Sequence, residues 1–526
     1  MNRRDALLGI GAGAAGMLAG VRPFRQREGN LVASAAFDPD VEIALVAAPD
    51  EVQLRPGART RVWRFAASVI KGPAGSVQTV PNSYLGPTLR FSRGQKVRIR
   101  FRNDLPEPSI VHWHGLDVPE AADGHPRLAI APGAEYVYEF EVINRAGTYW
   151  YHPHPHGTTG KQVYQGLAGM LIVTDDEERA LALPGGSEEL VCVLQDRTFD
   201  SGNQFAYLPA GMMDRMHGLL GATMLVNGQE RASLALATSA YRVRMLNASS
   251  SRVYKLAWDD GTPMTIIGAD GGLLARPIQQ PFLTLAPSQR ADVILDLSGR
   301  AVGTSIQLRS APFAASEVSI DEGGMMGGRM GGMGRMGGMG GGPAGAATPN
   351  GAPLLLMTVN VSRQERAAFR LPTQLASYGT EWGEKAGAPV RRVSLDFRAG
   401  QWLLGGRVFD MMRVADDEVV RAGSTHIWEV RNVGGMMGQQ MAHPLHVHGT
   451  QFRVLGRTRP AGAATPAQSV RAGLVDDGWR DTVLVLPGDT VRLQLRFTAF
   501  PGLYLYHCHI LEHEDVGMMR NFRVTA

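Results

Sequence analysis

Near its C-terminal end the chain reads His507-Cys508-His509, with His513 five residues and Met518 ten residues beyond the cysteine. On an extended strand successive side chains leave opposite faces, so Cys508 points one way and its two neighbours the other. Few folds can use such a strand. One face has to offer a soft thiolate to one metal, while the other offers two imidazoles to metals behind it. The tripeptide is then a short covalent bridge between two sites.

Complementary donors occur in three further tracts: His112-Trp113-His114, His152-Pro153-His154 and His443-Pro444-Leu445-His446-Val447-His448. With His513 counted beside His509, ten of the fourteen histidines therefore fall in four short stretches, which argues against chance. Within each His-x-His pair both imidazoles share one strand face. His443 has the opposite parity to His446 and His448, so it can turn toward Cys508. A thiolate, two imidazoles and a weak thioether are the donor set of a blue copper electron-transfer centre. The remaining eight histidines suit three further ions, two with three ligands each and one with two. His156 continues the period of two after His154, but Pro155 and Gly157 loosen the strand there. His125, His217 and His426 stand alone, as surface or hydrogen-bonded histidines do.

On these tracts the chain resembles the multicopper oxidases of the bacterial periplasmic laccase and cuprous-oxidase type, over nearly all of its length after the N-terminal segment. The resemblance implies an all-β chain of three cupredoxin-like Greek-key β-sandwich domains and four copper ions: one type 1, one type 2 and two type 3. It implies type 1 ligation by His443, Cys508 and His513 with Met518 axial, and type 2 ligation by His112 and His446. His114, His152, His154, His448, His507 and His509 would hold the type 3 pair. It further implies reduction of O2 to water by electrons that pass from Cys508 to His507 and His509. Asp123, nine residues after His114, and Glu514, next to His513, match the family's proton-relay carboxylates. The alternatives are a laccase acting chiefly on phenols and aromatic amines, and a non-enzymatic copper-binding protein of the envelope.

The segment Gly323 to Gly342 holds twelve Gly, two Arg and the six methionines Met325, Met326, Met330, Met333, Met336 and Met339. So glycine-rich a run is too entropic to pack as core. It reads as an insertion in a hairpin between the strands Ser305 to Arg309 and Leu354 to Val361. Thioethers select Cu(I), which makes soft-metal capture the functional expectation. In the resembling cuprous oxidases a Met-rich segment usually interrupts the third domain, and here it comes earlier. Met441 matches a substrate-copper ligand of that group, but Gln439 stands where an acidic partner is expected.

Alternating segments such as Lys96 to Phe101 and Tyr136 to Val142 read as half-buried strands, and helical periodicity is scarce. The expected division is 1–35 signal, 36–178 first domain, 179–362 second domain carrying the insertion 323–342, 363–388 linker and 389–526 third domain. An echo between residues 63–115 and 393–449, each ending in His-x-His-Gly, suggests duplicated sandwiches. The middle domain has no His-x-His and no Cys-His, and reads as a spacer that holds the outer two domains in register. The N-terminus, Arg3-Arg4 followed by the apolar run Gly9 to Val21, reads as a twin-arginine signal cleaved after Ala33-Ser34-Ala35. Its apolar run is too short for a lasting membrane anchor. Export machinery, O2 and either Cu(I) or a small aromatic reductant are thus the expected partners of a periplasmic monomer. The formal charge of +4 includes five Arg, Asp5 and Glu28 within residues 1–35, so the rest carries about +1. Nucleic-acid binding is not expected at that balance. Cys192, in an apolar run, reads as a buried free thiol and leaves no disulfide.

Overall fold

The computed structural model describes residues 32–320, 347–365, 369–379, 383–435, 440–459, 468–497 and 500–526. The twin-arginine motif, the six methionines of the Met-Gly insertion and Gln439 lie outside the described residues. The architecture is all-β, with three sandwiches in chain order. In the first, the sheet of Thr60–Lys71, Val41–Val52, Lys96–Asn103 and Glu135–Glu141 faces a second sheet. That second sheet is ordered Val77–Gln78, Thr88–Ser92, Gly169–Thr174, Gly147–Pro153, Val111–His114. Alternation builds the core between them. Val97, Ile99 and Phe101 pair with Phe140, Tyr138 and Tyr136 across the strands, and all six are buried. The apolar face closes on Trp113, Tyr149, Tyr151 and Leu171 of the other sheet.

Each sandwich repeats one unusual pairing. Its first long strand lies parallel to a strand from later in the same unit: Val41–Val52 with Lys96–Asn103, Glu189–Arg197 with Ala240–Asn247, and Val390–Arg398 with Thr425–Gly435. A second parallel pair closes each opposite sheet, as Thr88–Ser92 does with Gly169–Thr174 and Val419–Arg421 with Met519–Thr525. Parallel neighbours cannot be joined by a hairpin, so the connections cross over and leave long loops at the sandwich ends. Ser305–Ser310 pairs antiparallel with Leu354–Arg363, flanking the Met-Gly insertion. Immediately before that insertion, Ser319–Ile320 forms a two-stranded ribbon with Gln440–Met441 of the third domain. Among the described residues no helix is long and apolar enough to cross a membrane.

The domains are fastened to one another by buried contacts of two kinds. Tyr84, Trp150, Tyr164 and Met170 of the first pack with Val193, Phe205, Leu225 and Leu246 of the second, and Val253, Ala286 and Val318 pack with Ala442, Val470 and Leu484 of the third. Beside the first of these interfaces lies a buried ion network. Arg244, fully enclosed, donates to Glu189 at 2.6 Å, Asp292 at 2.9 Å, Glu178 at 3.0 Å and Thr148 at 3.1 Å. Arg242 binds Asp292 at 2.5 Å and also Glu178. Removing one partner of such a network strands the others without water. Arg244→Ala is therefore expected to lower unfolding free energy by about 3–5 kcal/mol, measured by denaturant titration of the metal-free protein.

Candidate metal centre

Two strand pairs carry the ligand tracts. In the first domain Val111–His114 is an edge strand paired with Gly147–Pro153, so that His112 stands opposite His152 and His114 opposite Trp150. In the third domain His443–Val447 pairs with Gly502–Cys508, with Leu445 opposite Cys508 and His446 opposite His507. Strand alternation then separates the donors. Cys508, Leu445 and Val447 enter the apolar core of the third domain. His446, His448 and His507 leave the other face and meet the histidines of the first domain.

On the inner face His443 Nδ1 lies 3.4 Å and His513 Nδ1 3.8 Å from Cys508 Sγ. Ile510 N–H donates to the same sulfur at 3.4 Å. Met518 is buried in this core, and its carbonyl accepts the Cys508 N–H at 3.0 Å. Trp402 lies over His513, ring centroids 4.1 Å apart at 28°. Burial holds His443 neutral, down to about 3, and pushes the Cys508 thiol well up. The sulfur is therefore protonated until a cation takes the place of its proton.

On the outer face eight imidazoles converge, all buried. Three groups come within ligand reach of one another: His112 with His446 and His448, His112 with His114 and His152, and His154 with His448 and His507. The closest approaches are between ring nitrogens. His112 Nε2 is 3.3 Å from His446 Nε2, His154 Nε2 is 3.3 Å from His507 Nε2, and His448 Nε2 is 3.0 Å from His507 Nε2. His509 meets His114 and His152 edge-on, at 5.0 and 5.3 Å between centroids.

What aims these rings is the nitrogen turned away from the centre. His112 Nδ1 donates to the Asp123 carbonyl at 2.6 Å, His446 Nδ1 to the Asp481 carbonyl at 2.8 Å, His152 Nδ1 to the Pro153 carbonyl at 2.9 Å and His507 Nδ1 to the Cys508 carbonyl at 3.0 Å. A carbonyl only accepts, so in each ring Nδ1 carries the hydrogen and Nε2 presents a lone pair. His448 Nδ1 is held likewise by Asp123 Oδ2 at 2.8 Å. Both ring nitrogens of His509 and Nδ1 of His154 are buried with no hydrogen-bond partner among the described residues. Lone pairs crowded together without donors are what a metal ion resolves, and neutral imidazole with one thiolate is a copper-type donor set. The residues present fit copper.

Two carboxylates stand beside the cluster, and burial raises both well above the usual carboxylate range. For Asp123 the charges of Glu120 and Asp117 add to this, and for Glu514 that of Asp515. Glu514 Oε1 is 3.5 Å from His154 Nε2, and its Oε2 is 3.2 Å from His507 Nδ1. Gly124, at φ +83°, lets the Asp123 loop press onto the ligand strand, since a Cβ there would meet the Val111 carbonyl at 2.2 Å. Outside the tracts, His125 is buried and bonds Asn521 at 3.0 Å, whereas His156 is exposed with Phe409 5.0 Å away.

Three neighbours carry no mark in the sequence. Asp481 Oδ1 accepts from His114 Nε2 at 3.0 Å, and Arg290 from the middle domain binds the same carboxylate. His513 Nε2 donates to the Met216 carbonyl at 3.2 Å, at the end of the short helix Met212–His217. The middle domain is thus more than a spacer. Met441, half-buried, packs against the core that holds Cys508 and pairs with Ser319.

Residues 63–178 and 388–526 each match sequence models of the family described as multicopper oxidase. The multicopper oxidase mco of Staphylococcus haemolyticus (strain JCSC1435) is 31% identical over 441 residues, spanning 84% of this chain and 82% of that protein. A laccase of Bacillus stratosphericus is 30% identical over 500 residues, spanning 85% and 90%. Among solved structures, the McoA multicopper oxidase of Aquifex aeolicus superposes with a TM-score of 0.75 at 30% identity, covering 95% of this chain and all of that one.

Protonation sets the pH response of the metal-free fold. Histidines neutral in the fold but able to protonate when unfolded carry no penalty above their ordinary 6.5. The penalty grows as pH falls toward folded values of about 3 for His152 and His443 and about 4 for His507. The raised carboxyls act in the opposite sense, because the fold keeps their protons: Glu512, pushed up to about 7, and Asp515, to about 8, cost more as pH rises from 4. Between pH 6.5 and 4.5 the buried histidines outnumber these carboxyls. The denaturant midpoint of the metal-free protein should therefore fall on acidification, each uncompensated proton costing about 1.4 kcal/mol per pH unit.

Proposed function

Because the chain belongs to the multicopper oxidases, an oxidoreductase family that binds copper, we propose that it couples four one-electron oxidations of a donor to the reduction of O2 to two waters, with Cu(I) as the principal donor and copper tolerance as the outcome. The observation that carries this reading is the opposed geometry of one strand. Cys508 faces His443 and His513, while His507 faces the imidazoles between the first and third domains. In this assignment His443, Cys508, His513 and Met518 would hold a type 1 ion, and His112 with His446 would hold a type 2 ion. His114, His152 and His509 would hold one type 3 ion, and His154, His448 and His507 the other. Copper, when bound, supplies the one-electron redox steps and the oxygen-reducing centre.

The chain's own residues do the rest. Full burial of the ten tract histidines and Cys508 excludes bulk water from both donor sets. Asp123 keeps Oδ2 on His448, and its Oδ1 has no hydrogen-bond partner among the described residues, so it can hold a proton at Oδ1. Glu514, held protonated by burial, stands beside His154 and His507 for the same purpose.

Support for Cu(I) comes from the thioethers. Met441, packed against the third-domain core, pairs with Ser319, which precedes Met325, Met326, Met330, Met333, Met336 and Met339 in sequence. Met212 and Met213 are 70% and 59% exposed on the helix whose Met216 carbonyl holds His513. Soft sulfur ligands favour Cu(I) over harder ions. Arg3-Arg4 and the apolar run after them would direct the folded protein to the periplasm.

Steady-state rates on fully copper-loaded protein, with Cu(I) beside a phenol, test the donor. Deletion of residues 323–342 is expected to slow Cu(I) oxidation more than phenol oxidation; an unchanged ratio removes the capture role and leaves a laccase. Asp123→Asn should lower O2 consumption by about 100-fold while reduction of the blue centre by donor stays fast. Normal turnover in that variant would exclude Asp123 from proton delivery.

A further inference from the structure

We propose that Arg290, from the domain that contributes no ligand, is a positioning residue for the trinuclear site: through Asp481 it fixes which nitrogen His114 presents to metal. The inference rests on the ligand assignment above. Of the cluster imidazoles whose outward nitrogen is bonded, His114 is the exception. Five are held by Nδ1, whereas His114 donates from Nε2 to Asp481 Oδ1 at 3.0 Å and so turns Nδ1 inward, 3.4 Å from His152 Nε2. The opposite tautomer would place a hydrogen where the lone pair is needed.

Asp481 is itself immobilised. Oδ1 also accepts from Thr482 Oγ1 at 3.0 Å and Arg290 Nη1 at 2.8 Å, and Oδ2 accepts from Arg290 Nη2 at 2.5 Å. With its oxygens committed to these donors, Asp481 orients a ligand instead of acting as one. Its main chain does the same for the second ring, since His446 Nδ1 donates to the Asp481 carbonyl at 2.8 Å. His114 and His446 stack 3.6 Å apart at 13°. One residue therefore sets two rings that belong to different copper ions.

Arg290 makes this arrangement rigid. It is fully buried, and all five guanidinium hydrogens have acceptors: the Thr148 carbonyl at 2.9 Å, the Ser288 carbonyl at 3.1 Å, the Asp270 carbonyl at 2.9 Å and the two Asp481 oxygens. These acceptors come from all three domains. The planar fork matches a carboxylate as no lysine can. Gly115, directly after His114 and at φ +91°, leaves the necessary room, because a Cβ there would lie 2.5 Å from Asp481 Oδ2 and 2.7 Å from Arg290 Nη2.

Arg290→Lys keeps the charge and loses the fork, and Asp481→Asn keeps the shape while allowing an amide N–H to face His114 Nε2. Both are compared with the unaltered protein by copper stoichiometry, chelator competition, blue absorption and electron paramagnetic resonance, with circular dichroism of the metal-free forms as the folding control. Each variant is expected to keep its fold and blue absorption while copper affinity at the trinuclear site falls about 10–100-fold and the type 2 resonance changes. Unchanged affinity and resonance in both folded variants would overturn the role of Arg290; if Arg290→Lys does not fold, Asp481→Asn alone decides in the same way. Absence of trinuclear copper from the unaltered protein would instead overturn the ligand assignment.

Discussion

Imidazole lone pairs can be made to face one another in a dry interface only where most of the rings are gripped by their other nitrogen. That requirement governs the molecule. Main-chain carbonyls at Asp123, Pro153, Asp481 and Cys508 do most of the gripping. They can do so only because the strands and loops that carry them are fixed by sandwich cores on both sides. The pleat then separates Cys508 from its neighbours, and the domain interfaces hold the halves of the cluster in register. Looseness in any of these would move a lone pair, and the cost of burying so many polar atoms would go uncompensated.

The domain contacts follow from the same need. A cluster split between two chain segments more than three hundred residues apart gains nothing from local sequence, as the separation of His114 from Asp481 by 367 positions shows. Apolar packing joins the first domain to the second and the second to the third, while the charged network around Arg244 adds direction to that contact. Buried charges of this kind contribute less to net stability than to fixing one arrangement over its neighbours. The middle domain is therefore a template on which the outer two are aligned.

The all-β class, the half-buried strands and the clustering of histidines were legible because each is written at short range. A period of two tells which residues share a face, and His-x-His tracts announce themselves. Opposite parity of His443 and His446 is enough to send one toward Cys508 and the other away. Asp481, Arg290 and Met216 left no such trace. Each acts through a contact made only after distant strands have assembled, and an aspartate, an arginine or a backbone carbonyl in a strand or helix end has no distinguishing pattern. For the same reason the middle domain, empty of metal-ligand motifs, read as a spacer although it supplies the clamp on Asp481 and the acceptor for His513. The contact of Ser319–Ile320 with Gln440–Met441 of the third domain was equally unreadable, since a two-residue ribbon has no periodicity to announce it.

Cys508 is sealed in the core of the third domain with a thiol that burial keeps protonated. Disulfide exchange and peroxide attack both require a thiolate that a reagent can reach. Cys192 is enclosed in the same way, its thiol pushed up to about 12. A chain built like this can persist in an oxidising environment before its metal arrives, with its most reactive ligand chemically dormant. Ligation and deprotonation are then one event, and the sulfur gains its reactivity only at the moment it is committed to a single partner.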